Sequence, residues 1–207
     1  MKSSRVNAID NYLLPSSVRW ARIPSEQVPM LATPLQMQPT EYIRKSWEDR
    51  PYGKTSKLEV ASVHDGKTWA VRVTWEGSGP GKTDFPDALA VALPVRNNPV
   101  LIMMGAADAP INYLRWSANK DGVHSLLATG IGLSVPGPEF GAVAHATAVG
   151  STWQVVIARP LGAGKNIAPL ELGKKTGVGF ALWMGGNEER AGIKAFSIDW
   201  LPLALEA

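Results

Sequence analysis

The chain has no cysteine in its 207 residues. That excludes disulfides, cysteine-ligated zinc, protein-held iron–sulfur clusters and covalently attached c-type haem. It leaves the compartment open, because a cysteine-free chain tolerates either redox environment. Also lacking is an apolar run near the roughly 18 residues of a membrane span, so no membrane span is expected. The first ten residues, Met1 to Asp10, hold no continuous apolar segment and no clear cleavage site, and no signal peptide is evident in them. Histidine is scarce: His64, His124 and His145 stand apart, without metal-binding spacing. Scattered single histidines are more often structural or surface groups than ligands. The formal charge of +3 is small and the basic residues are dispersed, so no nucleic-acid stripe and no polybasic membrane tail is expected.

Catalytic constellations are missing as well. Ser134 and Ser151 lack a nucleophile-elbow context. Gly77–Gly81 is a loop and not a phosphate cradle, since no Lys-Ser/Thr pair opens a helix after it. Asp84 and Asp87, beside Pro86, read as turn caps and not as an acid–base pair.

What is abundant is turn residues and tryptophan: Gly 20, Pro 16 and Trp 8. Trp69, Trp75, Trp116, Trp153, Trp183 and Trp200 all lie in or beside strand-like segments. Residues 1–17 read as a polar N-terminal extension with a short helix over Ala8–Leu14, and 18–207 as one domain. Val18–Ile23 alternates as a strand, Val28–Gln38 is extended and Pro-punctuated, and Tyr42–Trp47 is a short amphipathic piece. Lys57–His64 and Thr68–Trp75, joined through Asp65-Gly66, form the clearest hairpin. A Gly/Ser/Pro loop (76–83) leads to strand-like 85–94, Val100–Met104 and Ile111–Ala118. Residues 119–141 lack a strong period and read as a helix-plus-loop excursion. Ala142–Val149, Trp153–Arg159 and Thr176–Met184 restore the β pattern, with a loop across 161–173. Short strands at hairpin spacing predict a mainly β chain, an antiparallel β-sandwich with a few short helices in its connections.

Ile193–Trp200 holds the one anomaly. Read as a strand, it puts Lys194, Phe196, Ile198 and Trp200 on one face, so a lysine heads an apolar row. A buried unpaired ammonium costs several kcal/mol. Either Lys194 sits at a strand end and snorkels to water, or a partner waits for it. Met104 is the second point of interest. On a Val100–Met104 strand, Val100, Ile102 and Met104 share a face, and Gly105 permits close approach. A buried Met beside Gly is ordinarily core filler; its thioether is also a soft axial ligand for haem iron.

Several pieces then fit one family in order and spacing: Trp75; Phe85-Pro-Asp-Ala-Leu-Ala-Val-Ala-Leu-Pro94; Met104-Gly105; Ile111-Asn-Tyr-Leu-Arg-Trp116; Gly150–Leu161; Val178–Trp183; and Glu189–Trp200. Over roughly Trp20 to Leu203 the chain resembles the haem b-binding γ subunits of periplasmic molybdenum enzymes. That group includes ethylbenzene and dimethylsulfide dehydrogenases and selenate and chlorate reductases. The resemblance implies a β-sandwich holding one non-covalent haem b between a methionine and a lysine. Carried over, these are Met104, with Met103 as the fallback if the register slips by one, and Lys194, whose surroundings match best. Ile102, Phe196 and Ile198 would line the pocket, and Arg115 or Lys120 would serve the propionates. It further implies a non-catalytic electron-transfer subunit of a periplasmic heterotrimer. An α subunit would carry the molybdenum cofactor, a β subunit iron–sulfur clusters, and a cytochrome c-like carrier would be the external partner. The hydroxylating dehydrogenases are the closer branch.

Two rivals make different demands. A carbohydrate-binding sandwich would display Trp69, Trp116 or Trp153 on an open face and have no use for a buried lysine. A stand-alone haem carrier would be a monomer without a partner interface of about 1,000 Å² or more.

Overall fold

The computed structural model describes residues 1–81, 84–138 and 140–207. Lys82 and Thr83, the end of the loop expected over 76–83, lie outside the described residues. In chain order the strands are β1 (Lys2–Arg5), β2 (Ser25–Ala32), β3 (Lys57–His64), β4 (Thr68–Glu76), β5 (Ala88–Pro94), β6 (Ile111–Ser117), β7 (Lys120–Gly130) and β8 (Leu133–Pro136). Then come β9 (Val143–Val149), β10 (Thr152–Pro160), β11 (Gly162–Gly164), β12 (Ile167–Leu170), β13 (Lys175–Trp183), β14 (Ala195–Ser197) and β15 (Leu201–Leu205). A single α-helix among the described residues, α1 (Glu41–Trp47), is joined by five short 3₁₀ turns. The chain is a mainly antiparallel β-sandwich, as the strand spacing predicts.

One layer runs β8-β7-β6-β5-β13-β14 and the other β2-β3-β4-β10-β9, with β2 shared between them. Residues Ser25–Pro29 of β2 pair with β3, whereas Met30–Ala32 pair with β14. Period-2 alternation explains the core. Leu58, Val60, Trp69, Val71, Val73, Val155 and Ile157 of one layer meet Leu89, Val91, Leu93, Leu114, Trp116, Val178 and Leu182 of the other. Each such buried side chain contributes about 1.5–3 kcal/mol before entropy is subtracted.

The alternate residues of the second layer (β2-β3-β4-β10-β9), among them Ala61, Val63, Ala70, Val156 and Ala158, face a separate cluster under Ile9 and Trp20. Residues 1–17 thus pack on the sandwich, and β1 within them pairs in parallel with β3 and β15. Val18–Ile23, expected as a strand, is instead a 3₁₀ turn over Val18–Arg22. Its backbone bonds locally while Trp20 alone points inward, donating its indole N–H to the Tyr12 carbonyl and lying under the Arg72 guanidinium.

Asp87 ties three loops together. Nearly inaccessible, its carboxylate accepts the Ser78 and Gly79 backbone N–H groups and the Trp153 indole through one oxygen, and the Gly185 N–H through the other. Removing it leaves buried donors unpaired, at about 1–3 kcal/mol each. Asp87→Ala is therefore expected to lose at least about 3 kcal/mol of stability in a urea titration. A loss below about 1 kcal/mol would show that water replaces these bonds.

Candidate functional site

The site is built on the outward face of the β6–β5–β13 sheet. Alternation sends the large residues of Ala88-Leu-Ala-Val-Ala-Leu-Pro94 into the inter-sheet core and leaves Ala88, Ala90 and Ala92 on the other side, with Ala181 of β13. Methyl groups make a shallow floor there. Above it lies a cavity of about 470 Å³, walled by the segments 33–39, 101–104, 131–134 and 191–194. Its lining is largely apolar. Among the described residues its charged lining is Arg115 and Lys194, with no carboxylate.

Lys194 immediately precedes β14 and is only 6 % exposed. Its carbonyl accepts the Thr33 backbone N–H at 3.0 Å, which extends the β2–β14 ladder by one residue and fixes its direction. The loop before it is pinned by Glu189, whose carboxylate accepts the Gly53, Met184 and Asn187 N–H groups. The amine therefore enters the cavity on an immobilised backbone. Nζ lies 3.6 Å from Met104 Sδ and 5.5 Å from the Trp183 ring centre, and no acid pairs with it among the described residues. Burial pushes its pKa down from 10.5 to about 8.

Met104 reaches the same point from a different local structure than expected. Val100–Met104 is not a strand: Leu101–Met103 form a 3₁₀ turn, and Met104 ends it in the left-handed region at φ 58°. Gly105 follows at φ 92°, where an added Cβ would lie 2.7 Å from the Ala128 carbonyl oxygen. Strand parity across 100–104 is thereby void. The turn directs Leu101, Ile102 and Met104 to the cavity and leaves Met103 outside it, 49 % exposed.

Of the other expected lining residues, Ile102 and Phe196 are present. Ile198 is not. It is 45 % exposed, because β14 ends at Ser197 and the chain turns before the alternation reaches Ile198. Arg115 lines the cavity; Lys120, at the exposed start of β7, does not. His124 and His145 are exposed and His64 is buried elsewhere. Among the described residues no group of three or more His, Cys, Asp or Glu side chains is placed to hold a metal.

An amine and a thioether facing each other suit one particular task. Both groups are neutral or deprotonatable donors of the kinds that soft and borderline metals accept, so Lys194 and Met104 are the residues that would hold such an ion here. The flat alanine floor and apolar walls suit a planar apolar ligand around that ion, and the volume lies within the usual range for small-molecule sites.

No family model matches the chain. Curated relatives do. The chlorate reductase γ subunit of Ideonella dechloratans is 33% identical over 72% of this chain, and the matched stretch spans 65% of that subunit, just under two thirds of its length. The dimethylsulfide dehydrogenase γ subunit of Rhodovulum sulfidophilum is 29% identical over 90% of this chain and 73% of its own. A candidate haem subunit of a respiratory nitrate reductase from Haloferax mediterranei is 27% identical over 94% and 69%. The chain is a homologue of these γ and haem subunits.

As a γ-subunit homologue it shares its fold with proteins of other kinds. A family 9 carbohydrate-binding module from Caldicellulosiruptor kristjanssonii, solved with glucose, superposes with a TM-score of 0.55 at 8% identity, covering 100% of this chain and 95% of that one. A candidate carbohydrate-binding protein from Bacteroides uniformis gives 0.60 at 10% identity, covering 100% and 98%. At such identities the likeness shows the sandwich alone. The tryptophans differ from what sugar stacking demands: Trp69, Trp116 and Trp153 are buried at 0%, 5% and 6% exposure, the last two in edge-to-face contact. Among the described residues no helix is long and apolar enough to cross a membrane.

Proposed function

We propose that this chain is a non-catalytic electron-transfer subunit carrying one non-covalent haem b, with Met104 and Lys194 as the axial pair. The observation that carries the reading is the 3.6 Å approach of Lys194 Nζ to Met104 Sδ inside an apolar cavity. Two residues 90 positions apart are held there from a 3₁₀ turn and a strand start, and neither has another polar partner among the described residues. When bound, haem supplies a one-electron carrier whose potential follows from its axial ligands and the polarity around it.

The protein's own contributions are specific. Burial makes the Lys194 proton easier to lose than that of a solvated lysine, which lowers the cost of presenting its lone pair to a metal. Met104 offers a neutral thioether, whose softness favours a lower-valent metal. Ala90, Ala92 and Ala181 leave room for a flat ring, and Leu101, Ile102 and Phe196 keep water from it.

In this reading the chain works in a periplasmic heterotrimer, relaying electrons between iron–sulfur clusters of a β subunit and a cytochrome c-like carrier. An α subunit would hold the molybdenum cofactor, with a hydroxylating dehydrogenase the favoured type. The γ-subunit names of the relatives support a multi-subunit setting.

The deciding measurement is a reduced-minus-oxidised visible spectrum with a pyridine haemochrome assay on natively produced protein. About one b-type haem per chain with sharp six-coordinate bands is expected; a colourless protein from a haem-sufficient source sinks the reading. Met104→Ala should shift those bands, whereas Met103→Ala should leave them unchanged. The opposite pattern would reassign the ligand.

A further inference from the structure

The cavity contains more positive charge than an axial pair requires. Arg115 stands on β6 opposite Ala90, and Tyr113 opposite Ala92, so both side chains share the cavity face of the sheet. The Arg115 guanidinium centre lies 5.3 Å from the Trp183 ring centre, and Lys194 Nζ lies 5.5 Å from the same ring. Two cationic side chains thus flank one indole. Among the described residues Arg115 makes no ion pair and donates no side-chain hydrogen bond, and no acid lines the cavity. The Tyr113 hydroxyl likewise has no protein partner among them, although Tyr113 is only 9% exposed. Burial disfavours the charged form of each, lowering the Arg115 pKa and raising that of Tyr113.

Guanidinium groups withdrawn from water are stabilised by planar anions, which accept two parallel hydrogen bonds from the fork. The alternatives are poor here. A free inorganic anion would leave the apolar floor bare, and a neutral planar ligand would leave the Arg115 cation uncompensated. We infer that Arg115, assisted by the Tyr113 hydroxyl beside it, binds a carboxylate of the cavity's occupant. The ligand class is then a flat apolar molecule bearing at least one acid group, seated with that group toward β6. This rests on the haem reading and deepens it: β6 fixes which edge of the macrocycle lies against the sheet.

The test compares ferric haem with its dimethyl ester, which keeps the ring and iron but lacks the negative charges. Each is titrated into the apo chain and followed by absorbance. The unaltered protein should bind the free acid about tenfold or more tightly than the ester, the expected worth of charged hydrogen bonds. Arg115→Met should lose that preference, binding both forms as the parent binds the ester, with its circular dichroism unchanged. Arg115→Lys, which keeps the charge but not the fork, should retain part of it. Equal affinity of the unaltered protein for acid and ester overturns the carboxylate site while leaving the haem reading intact. Failure of the unaltered protein to bind either form overturns both. Because the acid–ester comparison needs no substitution, it decides even where Arg115→Met fails to fold.

Discussion

Lys194→Ala is expected to remove stable haem binding. The amine is the strongest donor facing the cavity, and its backbone is fixed by the Thr33 N–H and by the Glu189-pinned loop. Among the described residues no other lysine and no histidine lines the cavity to replace it. Loss of a hydrogen-bonded outer partner of a metal ligand already costs 10- to 100-fold in affinity, so loss of the ligand itself should cost on the order of 100-fold or more. The residual complex should be five-coordinate or water-ligated, with broadened bands. Unchanged haem content and spectrum would refute the axial assignment. Acid should mimic the substitution. Coordination requires the free amine, so haem affinity should be level above pH about 8 and fall about tenfold per unit below it.

In the apo protein the sign reverses. With no ligand present, Lys194 is a buried cation without a counter-charge, and replacing it by methionine should stabilise the fold. The lysine's pKa falls from 10.5 to about 8 on folding, so the unfolded chain binds more protons between those values. Stability of the unaltered protein must then rise with pH across that window. Below pH 8 the full penalty applies, about 3 kcal/mol from a 2.5-unit difference at 1.36 kcal/mol per unit. Lys194→Met should therefore be more stable by about that amount at pH 7, with the advantage shrinking between pH 8 and 10.5. Denaturant titrations of both apo proteins across that range measure it. A destabilised variant at every pH would mean that Lys194 is a satisfied structural residue. Gain of apo stability with loss of ligand binding is the mark of a group kept for function at the expense of the fold.

Where alternation met a buried layer, the strands were legible. Lys57–His64 and Thr68–Trp75 lie within one residue of β3 and β4, and the Asp65 carboxylate accepts the Lys67 and Thr68 N–H groups in the turn between them. Where a strand is solvated on both faces the period vanishes. β7 and β8, over the stretch read as a helix-plus-loop excursion, are largely exposed or half-buried, so no core imposes a pattern on them. In the supposed loop 161–173, β11 is hidden as a three-residue, glycine-rich strand, and β12, although it buries Ala168 and Leu170, is only four residues long, too short to show a period.

The site was legible in its unusual members and not in its frame. Lys194 stands out because a cation in an apolar row demands an explanation. Met104 stood on the wrong premise: 100–104 mimics a strand, yet Pro99 and Gly105 bracket a turn. Ile198 failed because parity says which face a residue takes only while the strand lasts. The alanine floor carried a readable signal, since small residues at 88, 90 and 92 alternate with Leu89, Val91 and Leu93. Such a strand has one face built to fill space and the other built to leave it.

The sharing of β2 between the layers bears on the order in which the molecule assembles. Lys194 is positioned by pairing Met30–Ala32 with Ala195–Ser197, partners some 160 residues apart in sequence. Hairpins such as β3–β4 close short loops quickly, whereas this contact must wait for chain ends to find each other against a large loop entropy. The amine and the thioether are therefore expected to meet late, after the local hairpins have formed. If haem binds as proposed, a chain halted earlier would have strands but no paired donors, and haem capture would report the completed fold.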